Sequence, residues 1–331
     1  MRFQYSFRAF LVVALFVFAG SVVFAQKPKS NEKKINSTIV YSEDDPEKLP
    51  VAEGANLYCA GYIQSGPVGA TIEVVGAEEE KDYHVYGEGD VLYVNGGAAS
   101  GMKKGDVYSV IRPRGKVNSD WTEKKDLGIW IQEVGAVEVM VSKSDHAIVR
   151  VKNSCGEILF GDLLKPFTKR ESPLFKKRGP IDLYADPSGK AMGRIVMGRE
   201  GQEMFGREMI AYVDLGREDN VKIGDYLTIF RPLGTGNIYT KVPKESVDNR
   251  DDGNESDRYE GGHFSIQSPR KKGDNAGGAT VTSEDAKSRR PNGLRRVVGE
   301  MVVLNVMERT ATVMVVRAAT EIHTGDWVEI Q

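Results

Sequence analysis

The chain has 331 residues, with 45 lysines and arginines against 47 aspartates and glutamates, so its formal net charge at pH 7 is −2. This balance argues against a protein that binds nucleic acid, because phosphate contacts need an excess of basic residues or a strongly basic face. The length allows about two domains, and the 36 glycines favour short elements joined by turns.

The N-terminus carries the pattern of a secretory signal peptide. Basic residues precede an unbroken apolar run from Ala9 to Ala19, and small residues, Val23 and Ala25, stand where a cleavage site requires them. The run is shorter than the roughly 20 apolar residues of a transmembrane helix. We therefore predict a signal peptide over residues 1–25 and an exported protein, periplasmic or associated with the outer membrane, with no stable membrane span after cleavage. An uncleaved anchor is the alternative.

The only two cysteines, Cys59 and Cys155, are 96 residues apart in the sequence. Export would place them where disulfides persist. In the chain-entropy model a bond closing so long a loop stabilises the fold by roughly 4–5 kcal/mol, and real bonds often deliver less. The spacing equally allows two buried, unpaired thiols that pack as small hydrophobic groups. A metal site is not indicated, because the paired Cys-x-x-Cys spacing is missing.

An internal duplication organises the chain. The first copy has an apolar segment at 91–94 and then a segment at 105–113 that begins with Gly-Asp and ends with Arg-Pro. The second copy has the same two segments at 210–213 and 224–232. Later in each copy, two further glycines are 26 residues apart. These are Gly135 and Gly161 in the first copy and Gly299 and Gly325 in the second.

Local patterns within both copies are those of strands. Residues 134–141 and 297–304 are short runs rich in β-branched residues, and residues 147–152 alternate apolar and polar side chains. The predicted fold is all-β, with two tandem small β-barrel or β-sandwich domains. The predicted organisation is a first β-domain at 56–167, a linker at 168–190 and a second β-domain at 191–331.

The second copy is longer than the first because of a polar segment. The Arg-Pro pair is followed by the next repeat glycine after 22 residues in the first copy and after 67 residues in the second. The extra residues have few apolar side chains, so they cannot bury enough surface to offset the entropy lost on ordering. We predict a long disordered insertion at 240–296 and, from similar composition, a flexible N-terminal lead at 26–55.

Gly-Asp pairs mark turns that precede strands. Gly101 in the first copy aligns with Asn220 in the second, and glycine and asparagine adopt positive φ most readily. We therefore predict left-handed turns at both positions, with the following residues, Met102 and Val221, closing the barrel ends. The aspartates would accept hydrogen bonds from local backbone N–H groups, and a role as ligands or acids is the alternative. The remaining predicted turn residues are Gly105, Asp106, Gly161, Asp162, Gly224, Asp225, Gly325 and Asp326.

Motifs for catalysis, cofactors and metals are missing from the sequence. It has no Gly-x-Ser-x-Gly elbow, and neither Gly115-Lys116 nor Gly189-Lys190 has the earlier glycine of a phosphate-binding loop. The four histidines are scattered without metal-ligand spacing. We predict no catalytic residue, no cofactor and no metal site, and thus a protein that is not an enzyme.

Basic and aromatic residues are interleaved at 167–170 and 175–178. Such a surface could contact an anionic glycan, lipid headgroups or a partner protein. Charge runs usually only keep a segment solvated, and we interpret these two as parts of a solvated linker.

The repeated residues resemble a module of cell-envelope proteins. The pattern consists of Asp90 to Val94, Gly101 to Asp106 followed by Tyr108, Val110 and Arg112, Gly135 followed by Val137 to Val139, and Glu157 to Asp162. It resembles the C-terminal region of the secretin-associated, peptidoglycan-binding protein of type IV pili and is similar to the C-terminal domain of flagellar assembly protein T. The resemblance covers Gly61 to Pro166 best and Gly193 to Gln331 more weakly, so the module would be present in two copies.

This resemblance implies a non-catalytic exported protein that packs around a larger envelope assembly, such as a secretin ring. The expected partner is that protein assembly, with no nucleic acid. A protein that binds peptidoglycan or another glycan is one alternative, and a secreted enzyme with an unrecognised site is another.

Overall fold

The computed structural model describes residues 49–80, 84–233 and 290–331, together with the backbone of two short strands at 275–276 and 279–280. The predicted signal peptide, most of the predicted lead and most of the predicted insertion lie outside the described residues. Within these ranges, no helix is both long and apolar enough to cross a bilayer.

The described elements are strands joined by turns, together with one single-turn α-helix and three 3-10 helices at Ala98–Ser100, Arg199–Gly201 and Arg217–Asp219. The first half contains α1 (Ala55–Tyr58), β1 (Tyr62–Gln64), β2 (Ile72–Ala77), β3 (Val91–Val94), β4 (Val107–Lys116), β5 (Ile129–Ser142), β6 (Ala147–Ser154) and β7 (Leu163–Pro166). The second half contains β8 (Met192–Gly198), β9 (Met204–Phe205), β10 (Ile210–Val213), β11 (Tyr226–Pro232), β12 (Asn275–Ala276), β13 (Ala279–Thr280), β14 (Arg295–Val306), β15 (Ala311–Ala318), β16 (Ile322–His323) and β17 (Trp327–Ile330).

Six strands close each half into an antiparallel barrel. Around the first barrel the neighbours are β2, β3, β6, β5, β4 and β7, with β7 paired back to β2, and β1 adds to β5 from outside. Around the second barrel they are β8, β10, β15, β14, β11 and β17, with β17 paired back to β8. The two orders are identical when each strand is matched with its repeat. The predicted all-β fold with two tandem barrels is therefore confirmed.

Each barrel has its own apolar interior. Leu92 in the first barrel and Leu227 in the second are completely buried. Met102 and Val221, which follow the predicted left-handed turns, belong to these interiors and are 1% and 3% exposed. Burying one such side chain stabilises the fold by about 1.5–3 kcal/mol, so the core sits inside the barrels, as the alternating patterns require.

The predicted turns are present at corresponding positions of both barrels. Gly101 has a φ of +83° and Asn220 a φ of +64°, which confirms the left-handed conformation. In the four predicted Gly-Asp turns the glycine has positive φ, and the aspartate Oδ2 accepts a hydrogen bond from the backbone N–H three residues earlier. These bonds join Asp106 to Lys103 (2.9 Å), Asp162 to Leu159 (2.8 Å), Asp225 to Lys222 (2.8 Å) and Asp326 to His323 (2.8 Å).

Residues 59–64, which we call the connector, link the two barrels. Three of its carbonyl oxygens accept buried hydrogen bonds from side chains of the second barrel. These run from Tyr212 to Ala60 (2.7 Å), from Thr312 to Gly61 (2.9 Å) and from Thr310 to Ile63 (2.9 Å). At the N-terminal end of the connector, Cys59 forms a disulfide with Cys155 of the first barrel, with Cα atoms 5.6 Å apart. Of the two states that the sequence left open, the structure has the bonded one.

The end of the predicted flexible lead is folded, so that prediction does not hold for residues 49–55. The Val51 N–H donates to the Pro173 carbonyl at 2.8 Å. Ala52 is 3% exposed and belongs to a cluster with Ile210 and Met314 of the second barrel. Val51 and Ala52, at the end of a polar segment, pack against the second barrel. Composition alone does not predict this contact.

The predicted linker at 168–190 is held against both barrels and is not merely solvated. Arg170 pairs with Glu133, whose side chain is 2% exposed. Arg178 pairs with Glu300 at 3.4 Å. Because a buried carboxylate without a partner is strongly destabilising, these arginines of the basic runs satisfy charges on the barrels.

The predicted insertion ends earlier than residue 296. Residues 290–296 are described, and β14 begins at Arg295, which lies opposite Pro232 of β11. The Leu233 N–H donates to the Leu294 carbonyl at 2.9 Å, which closes the base of the segment. Pairing with β11 therefore places Arg295 and Arg296 in a barrel strand, although composition had assigned them to the insertion.

Candidate functional site

The aspartates of the later Gly-Asp turns are engaged in structural ion pairs. In the first barrel, Arg112 donates from Nε to Asp162 Oδ1 and from Nη2 to Oδ2, both at 2.7 Å. In the second barrel, Arg231 donates to Asp326 in the same way, at 2.6 and 2.8 Å. These carboxylates also accept the turn N–H described above. Their hydrogen-bonding capacity is thus used within the fold.

The predicted turn residues are divided between two barrels and do not converge on one site. In the ranges that the structure describes, no group of three or more His, Cys, Asp or Glu side chains is placed to hold a metal ion. His323 is 7% exposed and lies next to the Gly325-Asp326 turn. His263 lies outside the described residues.

The strongest candidate site is an apolar depression on the outside of the second barrel, which we call the Trp327 patch. It has a volume of about 270 Å³. Its lining comes from the linker, β8, β11, the start of β14 and β17. The lining residues are Pro187, Met192, Phe230, Pro232, Gly293, Leu294, Arg295 and Trp327.

An aromatic and arginine stack forms the floor of the Trp327 patch. Phe230 and Trp327 are paired on β11 and β17, and their ring centroids are 6.3 Å apart with planes inclined by 20°. The Arg194 guanidinium lies 3.6 Å from the Trp327 centroid, and the Arg295 guanidinium lies 4.6 Å from the Phe230 centroid. Strand register brings these side chains together, since Trp327 also lies opposite Arg194 of β8. Each cation–π contact contributes about 0.5–2 kcal/mol.

The two arginines are fixed by further bonds. Arg295 pairs with Glu329, whose side chain is 1% exposed, and donates from Nε to the Ala185 carbonyl at 3.0 Å. Burial raises the pKa of Glu329, but the hydrogen bond and charge of Arg295 outweigh it, so the net pKa lies below the usual value. Arg194 donates to the Gly325 carbonyl at 2.6 Å, and burial lowers its pKa. The stack is therefore preorganised.

Above this floor, apolar side chains face solvent. Met192 is 54% exposed and Leu294 is 44% exposed, and neighbouring Leu233 is 55% exposed. Contiguous exposed apolar surface on a soluble protein typically marks a binding surface. Aromatic residues, Met and Arg are also the types enriched at protein interfaces. The composition thus suits protein docking.

Sequence reasoning missed the Trp327 patch because its residues come from five segments, none of which indicates a binding site by itself. A partial signal was present, since the chain has only three tryptophans and one of them follows a repeat Gly-Asp pair. Its position on the outer face depends on the barrel register, which the spacing alone does not give.

Comparison with known proteins finds no family model that matches this chain and no significantly similar curated protein.

Proposed function

We propose that this protein is a non-catalytic, exported accessory or scaffold protein of the cell envelope, which binds a larger protein assembly such as a pilus secretin ring. The observation that carries the proposal is the Trp327 patch, where exposed Met192 and Leu294 surround a preorganised stack of aromatic rings and arginines. Binding energy at protein interfaces concentrates in such aromatic and arginine clusters.

The bonds that hold the connector to both barrels support this proposal. The connector hydrogen bonds and the Cys59–Cys155 disulfide fix segments of both barrels relative to one another. A docking surface on a rigid body loses little conformational entropy when it binds. This suits a part that positions other proteins.

Barrel closure also narrows the way in which a partner can bind. Each barrel strand has neighbours on both sides, and closed barrels have no free edge for strand addition. Docking would instead use an outer face such as the Trp327 patch.

The geometry favours a protein partner over a glycan at this patch. Sugars stack on exposed aromatic faces, but one face of Trp327 is covered by Arg194 at 3.6 Å. Phe230 is only 5% exposed. The apolar rim is what a partner would contact.

The test is recovery of the assembly from the native envelope. The full chain, tagged, would be cross-linked in cells and purified, and the attached proteins identified by mass spectrometry. We expect one defined envelope assembly with the wild type and its loss with the double variant Met192→Asp and Leu294→Asp. A matched control is Ile223→Asp, since Ile223 is 56% exposed on the same barrel but outside the patch.

Thermal unfolding would show that each variant is folded. Equal recovery of the assembly by the patch variant and the control would contradict the proposal. So would hydrolase activity of the purified chain that one Asp or His substitution removes at unchanged stability.

A further inference from the structure

The repeat places equivalent faces on the two barrels, and they differ in what covers them. In the first barrel the Gly161 N–H donates to the Val74 carbonyl at 2.8 Å, and in the second the Gly325 N–H donates to Ile195 at 2.7 Å. The next residues on these strands, Val75 and Val196, are therefore equivalent. We call the surface around Val75 and Gly161 the Gly161 face, and the surface around Val196 and Gly325 the Gly325 face.

The Gly325 face is an internal interface. Val196 is 4% exposed because it packs in a cluster with Leu127 and Val117 of the loop between β4 and β5. The same loop brings Trp121 against Gly325, where an added Cβ would lie 2.6 Å from the indole ring. One barrel thus uses a loop to cover the face of the other.

Polar contacts fix that loop in place. Lys124 Nζ lies 2.7 Å from Glu218 Oε1 and 2.7 Å from Asp219 Oδ2. The Thr122 hydroxyl donates to the Asp214 carboxylate. The loop therefore places the Trp121 indole ring against the Gly325 face and the Lys124 ammonium group against two neighbouring carboxylates.

Among the residues that the structure describes, none covers the equivalent Gly161 face. Val75 is 49% exposed, although its counterpart Val196 is 4% exposed. Phe160 and Val85 are 43% and 52% exposed. A Cβ added to Gly161 would meet no atom within 4 Å. The surface that is buried in one barrel is thus presented to solvent in the other.

The Gly161 face is also ordered and acidic. Phe160 stacks on Tyr86, with ring centroids 5.3 Å apart, so its exposed ring is held in place. Three consecutive exposed glutamates follow β2 and a fourth precedes Phe160 by three residues. These are Glu78, Glu79, Glu80 and Glu157. The Glu80 carboxylate lies 3.6 Å from the position of an added Cβ on Gly76, the residue after Val75. Arg112, which reaches the Glu157 carbonyl at 2.9 Å, is already paired with Asp162.

We propose that the Gly161 face is a docking site for a partner protein that presents a loop with an aromatic side chain and a nearby lysine or arginine. In the other copy this face is covered by the loop in which Trp121 packs on Gly325 and Lys124 pairs with Glu218 and Asp219. Those two carboxylates align with Ala99 and Ser100 of the first barrel, so the acidic groups of the Gly161 face come from other positions. The acidic rim favours a basic loop by charge complementarity. This proposal depends neither on the Trp327 patch nor on an envelope location.

A second copy of this chain is not the expected occupant. Two Gly161 faces in contact would bring their glutamates together, and like charges across an interface are costly. The loop that carries Trp121 is already engaged on the second barrel of its own chain.

The test uses a displayed library of disulfide-cyclised peptides, which resemble hairpin loops, selected on the full-length protein. We expect enriched peptides to contain an aromatic residue and a lysine or arginine. Their affinity should fall at least about tenfold for Val75→Glu and also for the exposed charge reversal Glu79→Lys. It should be unchanged for Val141→Glu, a matched control because Val141 is 38% exposed on β5 of the same barrel.

Glu79→Lys changes an exposed turn residue, so its result stands even if Val75→Glu fails to fold. The proposal is overturned if no peptide is enriched, if the enriched peptides lack either residue type, or if they bind Glu79→Lys as tightly as the wild type.

Discussion

Arg112 and Asp162 are 50 residues apart in the sequence and form a two-bond ion pair beside the strand pair that joins β4 to β7. Arg231 and Asp326 form the same pair between β11 and β17. The aspartate side chains are 3% and 0% exposed. Each ion pair therefore joins the last strand of its barrel to a neighbouring strand and stabilises the closed barrel.

Removing one of these ion pairs should destabilise the protein strongly. Asp326→Ala leaves the partly buried Arg231 without its carboxylate and removes the acceptor for the His323 N–H, so we expect a loss of about 3 kcal/mol. The matched control is Asp225→Ala, which removes a turn hydrogen bond from Lys222 and should cost about 1 kcal/mol. Urea unfolding measures both. Equal losses would show that the ion pair adds nothing.

The left-handed turns give a backbone prediction. Gly101 has a φ of +83° and open space around an added Cβ, so any cost of substitution comes from the backbone. Gly101→Val should therefore destabilise the first barrel by more than about 1 kcal/mol, and Gly101→Asn by clearly less. At the equivalent turn, Asn220→Gly should be nearly neutral. Thermal unfolding of the three variants would reveal a different ranking if the turn conformation were not the cause.

The disulfide closes a segment of 96 residues, so its removal should enlarge the unfolded ensemble. We expect the double variant Cys59→Ser and Cys155→Ser to lose about 2–4 kcal/mol of unfolding free energy. Wild-type protein unfolded in a reducing agent is the control and should show a similar loss. A change of less than about 0.5 kcal/mol would mean that the connector is held by its hydrogen bonds alone.

His323 predicts a dependence of stability on pH. Burial, followed by the nearby charge of Arg231, lowers the pKa of its imidazole below the usual value. Well above about pH 6.5 the ring is neutral in both states and contributes no pH dependence. As the pH falls through that value, the unfolded chain binds the proton before the folded protein does, so the free energy of unfolding decreases.

We expect His323→Gln to flatten this decline below about pH 6.5, as measured by urea unfolding at a series of pH values. The control is His146→Gln, an exposed histidine beside Asp145. If both variants keep the wild-type slope, burial of His323 does not couple folding to protonation.

Features that depend on residues close together in the chain could be predicted from the amino-acid order. Gly101 and Asn220 indicated left-handed turns, and the Gly-Asp pairs indicated local hydrogen bonds, because both effects act within a few residues. Alternating apolar side chains and the repeated spacing of glycines then predicted two all-β domains. These signals can be read from a single sequence because the residues that produce them are neighbours in the chain.

Tertiary structure alone decided which residues meet across the barrels. The Cys59–Cys155 bond, the Arg112–Asp162 pair and the Trp327 patch each join segments whose separation in sequence carries no information about distance. Val75 and Val196 show the point most clearly, since they occupy equivalent strand positions but are 49% and 4% exposed. Their difference arises because the loop after β4 packs on the second barrel only, and burial depends on which surfaces the closed barrels bring into contact.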